Sequence, residues 1–374
     1  MEFGLTEEHR MFQKLGKDFS DREIEPIAED IEKEGKIPPD MLGKLASVGL
    51  LGMTAPDKCG GLETGFLTYM LAVEQLHYTC TPCSWLMVSN EFAEVLVHAG
   101  TETQQAEFIP SLVEGQAIAS VSFAGYSDET GHGKHDITCR QDNGHWVING
   151  VRRLDVFGHL DGPAIILARA DGDGPSAFVV SKTSPGYRTS EPLALLGLRG
   201  LEVVNVSLED VRVPESHLLG GVGDGERVAR LVASLSSIRQ SIQAVACAQR
   251  ALDEAVKYSK ERTRRGVPIA AMQAVQWLLA ETAMRLEPAR WAAYEVGAAH
   301  DRGLDTRMEA AKVKLFAART ARDAANMAIQ VHGCYGLTKD YRIERIYRQA
   351  KMFELTEGSS DQQRAVVADA LLAV

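Results

Sequence analysis

The sequence predicts an α+β protein with a helical N-terminal domain (residues 1–117), a middle antiparallel β domain (118–222) and a C-terminal four-helix bundle (223–374). Three observations predict it. Apolar residues recur at helical spacing from about residue 6 to 117. From Ile118 short apolar runs broken by Gly, Asp and Pro take over. From Glu226 long helical stretches return, the first of them (226–262) without proline. A chain of 374 residues exceeds one ordinary core, so two or three domains are expected.

In the first region Phe12, Leu15, Phe19, Ile24 and Ile27 recur at helical intervals with charges between them. Pro38-Pro39-Asp40 interrupts the pattern and can start a second helix through Met41, Leu45 and Val48. The loop Asp57-Lys58-Cys59-Gly60-Gly61 breaks it again, and helical spacing resumes at Phe66 and continues past His77. Thr101-Glu102-Thr103-Gln104 fits a capping box ahead of Phe108, Ile109, Leu112 and Val113. Strands are expected at 118–123, 145–149, 164–168, 177–180 and 203–208, with Asp142-Asn143-Gly144 as a hairpin turn. The glycine-rich stretch 220–225 leads into helices at 226–262, 269–300 and 306–331, which Gly333 and Gly336 end. Helices beyond about 25 residues point to a bundle.

At 45% hydrophobic and 24% charged residues the chain reads as soluble and globular. A net charge of −11 disfavours a nucleic-acid or anionic-membrane surface, and leaves an anionic ligand open only where arginines gather. No run of about 20 apolar residues is present to span a bilayer. The acidic start, Met1 to Glu8, lacks the apolar core of a secretory signal, and six scattered cysteines suit a reducing cytoplasm. Cys80-Thr81-Pro82-Cys83 has neither a βαβ context nor a second pair, so it reads as structural. His132 and His135 read as a polar loop, since no thiolate or carboxylate stands at ligand spacing.

Near the C-terminus, Thr356-Glu357-Gly358-Ser359-Ser360 follows the basic helical run Arg348-Gln349-Ala350-Lys351. A glutamate here, if buried, has its carboxyl pKa raised towards the range useful for proton abstraction, which makes Glu357 a candidate general base. A helix end is the other reading of a Glu-Gly pair.

Over essentially its whole length the chain resembles the acyl-CoA dehydrogenase family. The resemblance is carried by the Cys59-Gly60-Gly61 loop, Ile148-Asn149-Gly150, Leu196-Gly197-Leu198-Arg199-Gly200 and Val211-Arg212-Val213-Pro214. It continues through the run 248–255, Glu261-Arg262, Gly266 and Gln273, then Gln330-Val331-His332-Gly333-Cys334-Tyr335-Gly336, and ends in Thr356-Glu357-Gly358-Ser359. The resemblance implies FAD as cofactor, an acyl-CoA substrate, and Glu357 removing the α-proton while the β-hydrogen leaves as hydride to flavin N5. It further implies that Arg262 reaches across a subunit interface to the FAD pyrophosphate, and that Gln273, Gln330, Gly333 and Ser359 touch the cofactor. Gly358 and Arg239 are implied at the substrate, Arg239 near its CoA end. Some members carry the base on the first bundle helix instead. Leu235-Ser236-Ser237-Ile238-Arg239 holds no acid there, so Glu357 is the position still occupied. An electron-transferring flavoprotein as redox partner and a homo- or hetero-tetramer complete what the family implies.

The departures cluster around the flavin ring. The family's Thr-Glu-Pro-x-x-Gly-Ser-Asp signature is replaced by Gly125-Tyr126-Ser127-Asp128-Glu129-Thr130-Gly131-His132-Gly133. The Trp and Thr beside the ring become Leu154 and Val156, and valine has no hydrogen to donate to N5. Besides an active dehydrogenase, a flavin-poor subunit of a mixed oligomer or a non-redox acyl-CoA enzyme on the same fold would fit these changes.

Overall fold

The computed structural model describes residues 4–121, 137–170 and 174–372. The N-terminal helices are α1 (Glu7–Phe19), α2 (Ala28–Glu34), α3 (Met41–Ser47), α4 (Phe66–Thr79), α5 (Thr81–Trp85), α6 (Ser89–Ala99) and α7 (Glu102–Val113). The expected capping box opens α7. Thr101 Oγ1 accepts from Gln104 N at 3.2 Å, and Gln104 Oε1 accepts from Thr101 N at 2.8 Å. Gln104 also donates from Nε2 to the carbonyls of Ser216 and Leu218, so one capping residue ties the helical region to the β domain.

The sheet runs β5-β6-β2-β1-β3-β4-β7, with β1 Ile137–Asp142, β2 His145–Val156, β3 Pro163–Arg169, β4 Pro175–Ser181, β5 Tyr187–Thr189, β6 Val203–Pro214 and β7 Leu218–Leu219. The Asp142-Asn143-Gly144 turn joins β1 to β2. Asn143 and Gly144 have φ of 48° and 74°, the double positive φ of a type I′ hairpin. Two expectations need correction. The sheet is antiparallel except at β1–β3, where Thr138 and Arg169 pair in parallel. The first expected strand contributes only an isolated parallel bridge, Ser120 to Ala164, and residues 122 and 123 lie outside the described residues. Along β3 alternate residues serve two cores. Ile165 and Leu167 face the helices, whereas Ala164, Ile166 and Ala168 join a second core made of strand residues such as Trp146, Phe178 and Val206.

The bundle is built from α8 (Gly225–Glu261), α9 (Gln273–Asp301) and α10 (Arg307–His332), with α12 (Ser360–Leu372) packed on α10 after the short α11 (Ile343–Ala350). The long α8 is packed on several sides at once, against α4, α6, α9 and α10 and against the strands β3 and β4. Residues 235–248 are therefore buried on every face of the helix, polar residues included. No helix among the described residues is long and apolar enough to cross a membrane.

Candidate active site

A cleft of about 680 Å³ opens between the N-terminal half of α8, the 348–358 segment, the ends of β2 and β6, and the 195–201 loop. One wall is aliphatic, formed by Leu154, Val156, Leu195, Leu198 and Val203. Trp85, buried, borders the cleft, and its Nε1 has no hydrogen-bond partner among the described residues. Four basic side chains, Arg230, Arg307, Arg348 and Lys351, also line it, which is the local gathering of cations that the net charge alone did not reveal. Arg348 is tied to Glu32 and Glu344, so it braces the wall.

Glu357 lines this cleft in a backbone conformation rare for a side-chain-bearing residue, φ +48°, followed by Gly358 at φ +92°. Glycine is favoured at 358 by this conformation, and a Cβ there would also push the Gln363 amide aside. The turn is fastened from beneath. Lys314 of α10, 1% exposed, donates from Nζ to the carbonyls of Thr356, Glu357 and Gly358 at 2.6, 2.6 and 2.7 Å. Burial pushes the Lys314 ammonium down to about 7, with Glu357 opposing the shift. Three carbonyls match its three N–H bonds, an arrangement that only the protonated amine completes.

The carboxylate is fixed separately. Glu357 Oε2 accepts from Arg239 Nη2 at 2.5 Å and from Gln240 Nε2 at 2.9 Å, while Oε1 has no donor among the described residues. Thus one oxygen is anchored and the other is left for chemistry. The Glu357 N–H likewise has no acceptor among the described residues. Arg239, 1% exposed, bridges Glu357 to the buried Glu91, stacks on Trp85 at 4.2 Å and donates to Gln243 Oε1 at 3.0 Å. Glu91 in turn accepts from Tyr69 and Ser236, both at 3.2 Å. Burial pushes the Glu91 carboxyl up, and Arg239 works against that shift. Gln243 reaches Ser84, which bonds His77 Nδ1 at 3.0 Å. Burial pushes His77 down to about 3 and keeps that imidazole neutral.

Of the residues singled out in the sequence, Glu357, Gly358 and Arg239 come together, but Arg239 needs correction. It lies buried between two carboxylates rather than open to an anionic ligand, and it holds the Glu357 carboxylate in place. Ser359 forms a capping box at the start of α12, its N–H bonded to Gln362 Oε1 at 2.7 Å and its Oγ accepting from Gln362 N at 3.3 Å. Arg262, Gln273, Gln330 and Gly333 do not join Glu357. All are exposed, where α8 ends, α9 begins and α10 ends. Gln330 lies sixteen residues along α10 from Lys314, roughly 24 Å at the helical rise. Arg262 sits over the Tyr335 ring at 5.5 Å, with no carboxylate partner among the described residues. Leu154 and Val156 border the cleft, whereas Tyr126, His132 and His135 lie outside the described residues. Sequence reasoning missed Lys314, Glu91 and Gln240. Each reads as ordinary helix polarity, and only the all-round burial of α8 hints that its polar residues need partners.

Comparison with known proteins bears on this arrangement. The chain matches the family models described as "Acyl-CoA dehydrogenase, N-terminal domain" over residues 6–116 and "Acyl-CoA dehydrogenase, C-terminal domain" over 223–372. It is 34% identical over 381 residues to the probable acyl-CoA dehydrogenase YngJ of Bacillus subtilis, covering 100% of both chains. The chain belongs to the acyl-CoA dehydrogenase family. The family is flavin-dependent, and the chain is also 32% identical over 375 residues to the acryloyl-CoA reductase (NADH) of Anaerotignum propionicum, covering 98% of this chain and 95% of that one. Among solved structures, butyryl-CoA dehydrogenase from Megasphaera elsdenii superposes with a TM-score of 0.94 at 27% identity, covering 100% of both chains. The expected architecture of helical domain, β domain and helical bundle is that of these acyl-CoA dehydrogenase structures.

Proposed function

We propose that this chain catalyses α,β-dehydrogenation of an acyl-CoA thioester with FAD as oxidant and Glu357 as the base. The observation that carries the reading is the half-anchored carboxylate, with Oε2 held by Arg239 and Gln240 and Oε1 open in a largely aliphatic cleft. A positioned carboxylate of this kind contributes roughly 10²–10⁴-fold to proton abstraction. The α-proton passes to Glu357, and the Glu357 N–H, unpaired among the described residues, would donate to the thioester oxygen as negative charge develops there. Flavin, when bound, supplies the hydride acceptor for Cβ.

The fit to that cofactor is uneven. The aliphatic wall of Leu154, Val156 and Leu198 suits a flat ring face but offers it no side-chain donor. At the far end of the bundle Arg262, exposed and free of a carboxylate among the described residues, has the fork geometry for a pyrophosphate, with Gln273, Gln330 and Gly333 alongside for the adenosine half. Those residues are tens of ångströms from Glu357 in one chain, which supports a cofactor held between two subunits of a tetramer, as Arg262 reaching across an interface requires. Exposed Arg230 and the nearby Arg307 suit the anionic CoA end. Reduced flavin would then be reoxidised by an electron-transferring flavoprotein.

Val156 in place of a donor favours a second reading, a flavin-poor subunit of a mixed oligomer. Purified protein separates the two, since bound flavin absorbance supports the enzyme and a colourless preparation supports the subunit. With flavin bound, Glu357→Gln is expected to abolish acyl-CoA-driven bleaching while leaving FAD in place. Bleaching that persists in this variant refutes the assigned base.

A further inference from the structure

We propose that Glu94, His98 and His300 form a site for a divalent transition-metal ion of the zinc type, clamping α6 of the N-terminal domain to α9 of the bundle. The inference is independent of the dehydrogenase reading. Glu94 and His98 are four residues apart on α6 and so share one helix face, and His300 comes from the last turn of α9. Both imidazole Nε2 atoms converge on one carboxylate oxygen, Glu94 Oε2, at 3.2 Å from His98 and 3.4 Å from His300, and all three donor atoms lie within 4.8 Å of one another.

The distances suit an ion. Donors at about 2.0–2.1 Å from a tetrahedral zinc stand about 3.3 Å apart along each edge, close to the two separations found here. Without an ion the same two contacts are hydrogen bonds from the ring N–H groups to Glu94 Oε2, with the two rings packed edge to face at 5.5 Å. Charging both would set like charges side by side. A cation instead takes the neutral lone pair of each ring and the carboxylate together. Glu94 is nearly buried, at 8% exposed, whereas His98 is half exposed and leaves an entry path and a fourth position for water.

The neighbouring Asp301 is not that fourth ligand. Both its carboxylate oxygens are taken by the Phe66 and Leu67 N–H groups at the start of α4, 2.6 and 3.0 Å away. The face of α6 also has a consequence for the cleft. Glu91, one turn before Glu94, is the carboxylate that braces Arg239, so an ion at Glu94 would fix the helix that carries this brace.

The test uses the untagged full chain, stripped with EDTA and titrated with Co²⁺ as spectroscopic probe, then competed with Zn²⁺. One ion per chain with the visible absorption of four-coordinate Co²⁺ is expected. Glu94→Gln and His98→Ala, both folded by circular dichroism, should each bind at least tenfold more weakly. Zn²⁺ should raise the Tm of the parent and leave that of His98→Ala unmoved. Equal stoichiometry and affinity in parent and variants would mean ions held elsewhere, and no retained Co²⁺ in the parent would mean a Glu–His cluster without metal. Either result overturns the site.

Discussion

Arg239→Met probes the electrostatic centre of the molecule, because it removes the guanidinium shared by Glu91 and Glu357 while keeping a side chain of similar reach. Arg239 and Glu91 are each 1% exposed, so water does not take over the lost interaction. Breaking one side of a buried ion pair costs about 3–5 kcal/mol, most of it the penalty of leaving the partner charge unpaired. That origin makes a sharper prediction than the size alone. Burial already pushes the Glu91 carboxyl up with Arg239 present. Without Arg239, folded Glu91 binds protons over a pH range in which unfolded Glu91 does not. The stability of Arg239→Met should therefore be greatest at low pH and fall as pH rises through that window, relative to the Glu91→Gln/Arg239→Met double variant. The double variant, with no orphan carboxylate at 91, should recover at least about 1–2 kcal/mol. Urea unfolding followed by tryptophan fluorescence across pH 5–8 measures both effects. If the single variant loses under about 1 kcal/mol, or single and double coincide at every pH, the cluster is not a charge-compensated core and the reasoning fails.

Lys314→Met should lower acyl-CoA-driven flavin reduction at least about 10²-fold, because the turn that aims Glu357 loses its fastening to three carbonyls. Its stability should change by only about 1–2 kcal/mol, since burial of the ammonium is relieved at the same time; stopped-flow bleaching within twofold of the parent would count against the anchor. His77 is held down to about 3 by burial against an ordinary value of 6.5, so only the unfolded chain takes up its proton between those values. Stability should thus be lost as pH falls through that window by about 1.4 kcal/mol per unit. His77→Asn should flatten the fall by one proton's worth, and unchanged urea midpoints between pH 4 and 6 would show that His77 is already solvated.

What could be read from the sequence divides along a physical line. The capping box at Thr101, the hairpin at Asn143-Gly144 and the extent of α8 follow from local chemistry, and the structure places each within a residue or so of expectation. Glu357 was legible through the resemblance, since its Glu-Gly pair alone also reads as a helix end, and its positive φ was not legible at all. Arg239 was placed at the CoA end by the resemblance alone, and helical spacing offered no check on it, because that spacing gives a direction only when one face is solvated. Residues 235–248 are buried all round, so the pattern carries no direction there. Lys314 and Glu91 were invisible for a related reason. Their partners lie dozens to more than a hundred residues away, at Thr356 to Gly358 and at Arg239, and no local rule pairs them.

These long-range contacts explain how a glutamate can sit at φ +48° without relaxing. Such a conformation costs of order 1–3 kcal/mol and persists only where its surroundings over-determine it. Here the carbonyls are fixed by Lys314 and the carboxylate by Arg239 and Gln240, so α8 and α10 hold the turn independently. Either helix alone would leave one end of the residue free to rotate. The opposite cleft wall carries a positive φ too, +58° at Leu154, which is 50% exposed and linked by its N–H to Asn205 Oδ1 at 3.2 Å. Two of the departures, Leu154 and Val156, therefore fall on the wall that contributes packing, while the side that carries the proposed proton acceptor is held from two helices. The proposed base needs a carboxylate held in one orientation, and the clamp from two helices is the structural feature that supports that proposal best.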